Sequence, residues 1–239
     1  MTGPPINIVI PVCNEERILA ASIAKLASFL QRNCPHPYEI IIANNGSIDG
    51  TLEIARSVAS GDPHVRVLHL DERGRGRALK AAWLQSSADI LAYMDADLSS
   101  DITAFPDLIK PLISGRFDLA IGSRLLNPNS TTRCFKRELA SRVYNFLHKA
   151  LLHTHFADAQ CGFKAISRQA ARQLLPLVQD TNWFFDTELL VLAERHGYRI
   201  LELPVRWVEN RNTHVRIIRT AIQDIRGLLR LRLEGQRRT

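Results

Sequence analysis

No stretch of this 239-residue chain approaches the roughly 18–20 consecutive apolar residues that span a bilayer, although 46% of its residues are hydrophobic. That composition suits one large α/β domain or two small ones. The four cysteines, Cys13, Cys34, Cys134 and Cys161, contain no CxxC pair. A structural zinc site is therefore not expected, and the thiols read as the isolated, reduced cysteines of a cytosolic protein. The eight histidines show no metal-ligand spacing. Met1 to Pro5 carry no basic region, so no signal peptide is expected. Internal repeats, low-complexity segments and linkers are also missing, and one domain over 1–239 is the expected organisation.

The chain is basic, with a formal net charge of +7 and a pI of about 9.6. Such a balance suits nucleic acid, anionic lipid or phosphorylated small molecules. Nucleic-acid binding predicts aromatic rings among the arginines for base stacking. The basic stretch after Trp207 holds no Phe, Tyr or Trp, which argues against it.

The pattern predicts strands at Ile6–Val12, Tyr38–Ala43, Val65–Leu70 and Ala88–Met94. Helices are predicted to open at Asn14-Glu15-Glu16, to run from about Leu52 to Ala59, and from about Ala78 to Ser86. Four strand–helix units in the first hundred residues imply a mostly parallel sheet with helices on both faces. Further strands are read at Phe117–Ser123, Phe163–Ile166 and Tyr198–Val208. Further helices are read at Arg137–Leu152 and at Asp186–His196, the latter closed by Gly197. In parallel sheets ligands bind beyond the carboxyl ends of the strands. The polar segments at 13–16, 44–49, 71–77 and 95–101 all fall there and converge on one crevice.

Asp95 and Asp97 end the fourth strand. Carboxylates at i and i+2, where a strand becomes a loop, can aim at one point. Mg²⁺ or Mn²⁺ takes such oxygens and is completed by substrate phosphates. The pattern points to a metal-dependent enzyme acting on a phosphorylated donor, with a solvated acidic turn as the alternative.

Three segments, Ile10-Pro11-Val12-Cys13-Asn14-Glu15-Glu16, Asn45-Gly46-Ser47-Ile48-Asp49-Gly50-Thr51 and Asp95-Ala96-Asp97, resemble family 2 glycosyltransferases of the GT-A fold. Asp158-Ala159-Gln160-Cys161-Gly162-Phe163-Lys164, Trp183-Phe184-Phe185-Asp186-Thr187-Glu188 and Glu202-Leu203-Pro204-Val205-Arg206-Trp207 narrow the resemblance. Together they are similar to polyprenyl-phosphate and dolichyl-phosphate hexosyltransferases, especially the dolichyl-phosphate β-glucosyltransferase branch. Six motifs stand in register over roughly residues 6–235.

The resemblance implies an α/β GT-A fold ending in an amphipathic helix. It also implies an inverting transferase that moves glucose or mannose from a UDP- or GDP-sugar to a polyprenyl or dolichyl phosphate. Asp95 and Asp97 would hold the metal, with Asp97, Asp158 and Arg137 in the catalytic set and Asp158 as a weak base. Pro11, Asn14, Glu15, Asn44, Asn45, Ser47, Asp49, Arg77, Asp95, Ala96, Arg124, Gln160 and Asp186 would line the nucleotide-sugar pocket. Arg133, Arg137 and Ser141 would meet the acceptor phosphate.

Three departures stand out from the family pattern. Asn44 and Asn45 replace acids, Ser99 replaces a common glutamine, and Asn212-Thr213-His214 replaces a serine followed by a basic residue. Arg211 or Arg216 can substitute for His214, which is only partly charged at neutral pH. Gly74-Arg75-Gly76-Arg77 is expected to be a loop that brings backbone and Arg77 to the donor diphosphate, the alternative being a basic turn.

The segment 212–235 alternates apolar residues with arginines, so it can lie on an anionic membrane or pack on its own domain. The expected setting is peripheral, at the cytoplasmic face of a membrane, with a membrane protein as a possible partner. Alternatives are a soluble or glycan acceptor, and a non-catalytic nucleotide-sugar binder.

Overall fold

The computed structural model describes residues 3–126, 131–132, 135–208 and 217–236, with side chains at 3–126, 143–208 and 221–234. In the first hundred residues, strands β1 (Ile6–Val12), β2 (Tyr38–Asn45), β3 (Val65–Leu70) and β4 (Ile90–Met94) alternate with helices α1 (Leu19–Asn33), α2 (Thr51–Gly61) and α3 (Arg75–Gln85). A 3-10 turn (Ile102–Ala104) leads into α4 (Phe105–Ile113), β5 (Leu119–Ser123), β6 (Thr131–Thr132) and α5 (Phe135–Leu152). The chain continues through β7 (Phe163–Ser167), α6 (Arg168–Leu174), α7 (Phe185–Arg195), β8 (Ile200–Pro204), β9 (Trp207–Val208) and α8 (Ile217–Gln236).

Seven strands form one sheet in the order β3-β2-β1-β4-β7-β5-β8. All pairs are parallel except those of β7, which runs antiparallel to β4 and β5. Side chains alternate across the sheet, so one strand feeds two cores. Val9 packs on the face covered by α3, α6, α7 and α8. Ile8 and Ile10 pack on the face covered by α1, α2 and α4. Each fully buried Ile or Leu contributes roughly 1.5–3 kcal/mol, which is why helices are needed on both sides.

Several boundaries differ from the sequence expectation. The first helix begins at Leu19 rather than Asn14, because Asn14 adopts a left-handed φ of 60° and the intervening residues form a turn. The expected strand over Tyr198–Val208 is two strands; the first ends at Pro204, which cannot donate to a ladder. Helices α4 and α6 are additional to the sequence pattern. Two prolines, Pro106 and Pro111, mask α4: one occupies its first turn and the other its interior.

The sheet order places a switch point between β1, whose helical connection runs to β2, and β4. Ligands in such sheets bind outside the carboxyl ends of the strands at that point. Because β7 is antiparallel, its first residue, Phe163, pairs with Met94 at the end of β4. The segment 158–162 is thereby delivered to the same edge as Asp95.

Candidate active site

Asp95 leaves β4 directly into the crevice. Its N–H donates to the Gly162 carbonyl at 3.1 Å, and its carboxylate rests against the Gly162 backbone. A Cβ at position 162 would lie 1.7 Å from Asp95 Oδ2, so only glycine leaves room for the carboxylate. Leu98 then turns the chain with a φ of 48°. Asp97 Oδ1 accepts the Ser99 N–H at 3.0 Å. Burial, and then the neighbouring charge of Asp95, push the Asp97 carboxyl above its ordinary value. Two carboxylates, one of them raised by the other, form a donor set that a divalent cation fits. No cluster of three or more His, Cys, Asp or Glu occurs among the described residues, so substrate phosphates or water would have to complete the shell.

Arg75 was not expected in the site. It is 10% exposed, and its guanidinium joins Asp95 Oδ1 at 2.8 Å to Asp186 Oδ2. The same guanidinium lies 4.9 Å from the Tyr93 ring centroid and 5.1 Å from that of Trp183. Asp186 Oδ1 accepts from the Tyr93 hydroxyl and lies 3.2 Å from Lys164 Nζ. Burial raises the Asp186 carboxyl, but Lys164 and Arg75 outweigh it and hold the group below its ordinary value. With both oxygens engaged, Asp186 orients the arginine that meets Asp95.

The Gly74–Arg77 segment corrects the loop expectation, since α3 begins at Arg75. Gly74 has a φ of 152°, and Gly76 packs where a Cβ would lie 2.5 Å from Phe185 Cβ. Arg77 points away from this cluster, to Glu72 and the Arg73 carbonyl. The signal for Arg75 was present in the two flanking glycines, which permit close packing of the first helical turn.

The residues expected at the nucleotide join the β1–α1 and β2–α2 loops. The Asn14 N–H donates to Ser47 Oγ at 3.0 Å, and Asn14 Oδ1 accepts the Ile48 N–H at 2.9 Å. The Glu15 N–H donates to Thr51 Oγ1 at 2.8 Å. Asp49 Oδ1 accepts from the Thr51 N–H at 3.1 Å. Asn45 bonds the Val12 carbonyl through its amide nitrogen and the Gly74 N–H through its oxygen. Pro11 pairs with Ala43 inside the sheet, and Ala96 is buried between the two aspartates. Asn44 is fully buried, with its amide nitrogen 2.8 Å from His69 Nδ1. Among the described residues its oxygen has no hydrogen-bond partner.

On the opposite side, Asp158 is buried and gripped by Arg124. Nε to Oδ2 and NH2 to Oδ1 are both 2.7 Å, and the Arg124 N–H reaches Oδ2 at 3.0 Å. Both carboxylate oxygens are thus committed to a permanent cation, and the weak-base role expected of Asp158 finds no support in this geometry. Gln160 Nε2 donates to Asp224 Oδ2 of α8 at 2.9 Å. Arg137 and Ser141 lie on α5, with side chains outside the described set. Arg133, Arg211, Asn212, Thr213, His214 and Arg216 lie outside the described residues.

Helix α8 is docked on one side and bare on the other. Leu228 and Leu231 are fully buried, and Arg230 pairs with Glu188 at 2.8 Å. Ile222, Ile225, Leu229 and Leu233 are exposed in a row, as are Val143 and Phe146 of α5. No helix among the described residues is long and apolar enough to cross a membrane.

The mostly parallel seven-stranded sheet with helices on both faces is a fold of the GT-A type. The chain belongs to glycosyl transferase family 2, whose model matches residues 7–175. It is similar to glycosyltransferase AglD of Haloferax volcanii, with 38% identity over 95% of this chain but 36% of that protein. It is 35% identical to a dolichyl-phosphate beta-glucosyltransferase of Drosophila melanogaster, over 85% of this chain and 67% of that protein. The chain thus spans about a third of one relative and about two thirds of the other. Among solved structures it resembles the glucosyl-3-phosphoglycerate synthase of Mycobacterium tuberculosis in complex with Mn²⁺, UDP and phosphoglyceric acid. That match has a TM-score of 0.71 and 20% identity, over 96% of this chain and 78% of that one.

Proposed function

We propose that this enzyme transfers a hexose, glucose or mannose, from a UDP- or GDP-sugar to a polyprenyl or dolichyl phosphate, with inversion at the anomeric carbon. The observation that carries the reading is the pair Asp95 and Asp97 at the switch point, one seated on Gly162 and the other raised by burial and its neighbour. Similarity to dolichyl-phosphate beta-glucosyltransferases supports the lipid acceptor. The solved complex with Mn²⁺ and UDP supports a divalent ion and a nucleotide diphosphate.

In this reading Asp95 and Asp97 would hold Mg²⁺ or Mn²⁺. The ion, when bound, neutralises charge on the departing diphosphate as a Lewis acid. The bond formed joins the anomeric carbon to an acceptor phosphate oxygen, and the bond broken releases the nucleoside diphosphate. The phosphate nucleophile is already anionic at neutral pH, so no general base is assigned. Arg75 orients Asp95, and the 14–16 and 44–51 loops shape the nucleotide side. Arg133, Arg137 and Ser141 are proposed for the acceptor phosphate. The exposed row on α8, with the arginines beside it, suits peripheral contact with an anionic membrane surface at its cytoplasmic face.

A soluble phosphorylated acceptor is the second reading, favoured by the phosphoglyceric acid bound in the solved complex. Mass spectrometry of products from UDP-glucose, UDP-galactose and GDP-mannose, offered with dolichyl phosphate and with 3-phosphoglycerate, separates the two. A hexosyl dolichyl phosphate is expected. Product from 3-phosphoglycerate alone overturns the lipid assignment.

A further inference from the structure

Asp224 lies on α8, the helix with the bare apolar row, yet it is 3% exposed. Its Oδ2 accepts the Gln160 amide N–H at 2.9 Å. Among the described residues its Oδ1 is buried without a partner. An acid held in the interior by a single side-chain hydrogen bond is costly, and no leucine or alanine at this position would incur that cost.

What the acid accomplishes follows from the amide it meets. In its ionised form, above about pH 7, the Asp224 carboxylate accepts hydrogen bonds and cannot donate them, so it takes the Gln160 amide nitrogen rather than the amide oxygen. The amide oxygen, the other end of the same planar group, is left to accept from elsewhere. Gln160 is half-buried and stands two residues before Gly162, the backbone on which Asp95 rests. Helix α8 is held close at this point. A Cβ at Gly227 would lie 2.4 Å from the Phe184 ring, two residues before Asp186. Asp224 is also near enough to Asp186 and Asp180 for their charges to act on it.

We propose that Asp224 is a positioning residue for the transferred sugar: by taking the Gln160 amide N–H it turns the amide oxygen toward the pocket, where that oxygen accepts a hydroxyl of the hexose. The tail helix is then part of the site, with one face ordering a sugar contact and the other facing outward. This rests on the hexosyltransferase reading above and adds to it the residue pair that recognises the sugar.

The test compares UDP-glucose and GDP-mannose with UDP and GDP, as ligands of the full chain, by titration calorimetry at pH 8, where Asp224 is ionised, with Mn²⁺ present. The variants are Asp224→Leu, Gln160→Ala, Gln160→Glu and the doubles Asp224→Leu/Gln160→Ala and Asp224→Leu/Gln160→Glu. Loss of one oriented hydrogen bond is expected to weaken nucleotide-sugar binding by roughly tenfold in each single variant. Nucleotide binding should stay unchanged, and the Asp224→Leu/Gln160→Ala double should fall no further than the singles. Gln160→Glu, which still presents an acceptor oxygen, should recover more sugar affinity in the Asp224→Leu background than in the parent. Nucleotide and nucleotide-sugar affinities falling together, or additive losses, would reduce Asp224 to a packing role and overturn the proposal. A parent protein that gains nothing from the sugar moiety of either donor overturns the hexosyltransferase reading and this inference together. A sugar-dependent parent with unaffected variants overturns this inference alone.

Discussion

The Arg75 guanidinium bridges Asp95 at the exit of β4 and Asp186 in the first turn of α7, residues far apart in the chain. Asp186 is buried and Arg75 nearly so, and without Arg75 one Asp186 oxygen loses its cation while Lys164 and Tyr93 hold only the other. Removing one partner of a buried pair typically costs about 3–5 kcal/mol. Arg75→Met is expected to lower stability in urea by roughly 3 kcal/mol and to abolish transfer. Arg77→Met, which removes a surface contact with Glu72, should leave stability within about 0.5 kcal/mol. Equal effects of the two substitutions would contradict the assignment.

Gly162 is predicted to be intolerant of the smallest side chain. An alanine Cβ would stand 1.7 Å from Asp95 Oδ2, so the carboxylate must move. Displacements of about 1 Å in a catalytic group cost on the order of 100-fold. Gly162→Ala should therefore lose activity by about that factor while its circular dichroism matches the parent. Activity within threefold of the parent would show that the Asp95 position is not constrained as described.

The fold was largely legible because its signals are local. The β-branched run over Ile6–Val12 and the acidic strand end at Asp95-Ala96-Asp97 are visible in a few residues. Arg75 was not legible in that way. Its role depends on Asp186, 111 positions away, and on the glycines that let α3 approach Phe185. Pattern reading favoured Arg77 because both arginines sit in the same basic turn, and only packing distinguishes them. Asp224 was hidden for the same reason, being one polar residue inside a helix that otherwise reads as amphipathic. The Asn14, Ser47 and Asp49 constellation was visible as a motif. Its hydrogen bonds, which tie two loops to each other, were not.

Asp224 also makes stability depend on pH in a stated direction. Burial pushes its carboxyl to about 7, with the hydrogen bond from Gln160 opposing and the charges of Asp180 and Asp186 adding. An unfolded aspartate titrates near 3.9. Between those values the folded chain keeps a proton that the unfolded chain has released, so this group's contribution falls as pH rises from about 4 to about 7 and then levels off. Asp224→Asn removes the titration. Its Tm relative to the parent should rise between pH 5 and pH 8, by differential scanning calorimetry. A difference independent of pH would contradict the burial of that acid.

The outer face of α8 supports a prediction about membranes. Ile222 and Leu229 are about half exposed, so replacing both with glutamate disturbs little packing. Burying a large aliphatic side chain in lipid is worth roughly 1.5–3 kcal/mol. The double variant should lose more than tenfold in co-sedimentation with phosphatidylserine vesicles while its Tm stays within about 2 °C, the shift of less than 1 kcal/mol in a chain of this size. Unchanged co-sedimentation would assign that row another role.

The most direct measurement is the radioactivity extracted into organic solvent after incubation of the protein with dolichyl phosphate, Mn²⁺ and radiolabelled UDP-glucose or GDP-mannose. Lipid-borne label is expected from one donor, lost on addition of EDTA and lost in Asp97→Ala with the fold intact by circular dichroism. Lipid-borne label that survives both EDTA and Asp97→Ala would contradict the carboxylate-bound metal at the switch point. Label that remains wholly aqueous with both donors would contradict the lipid acceptor.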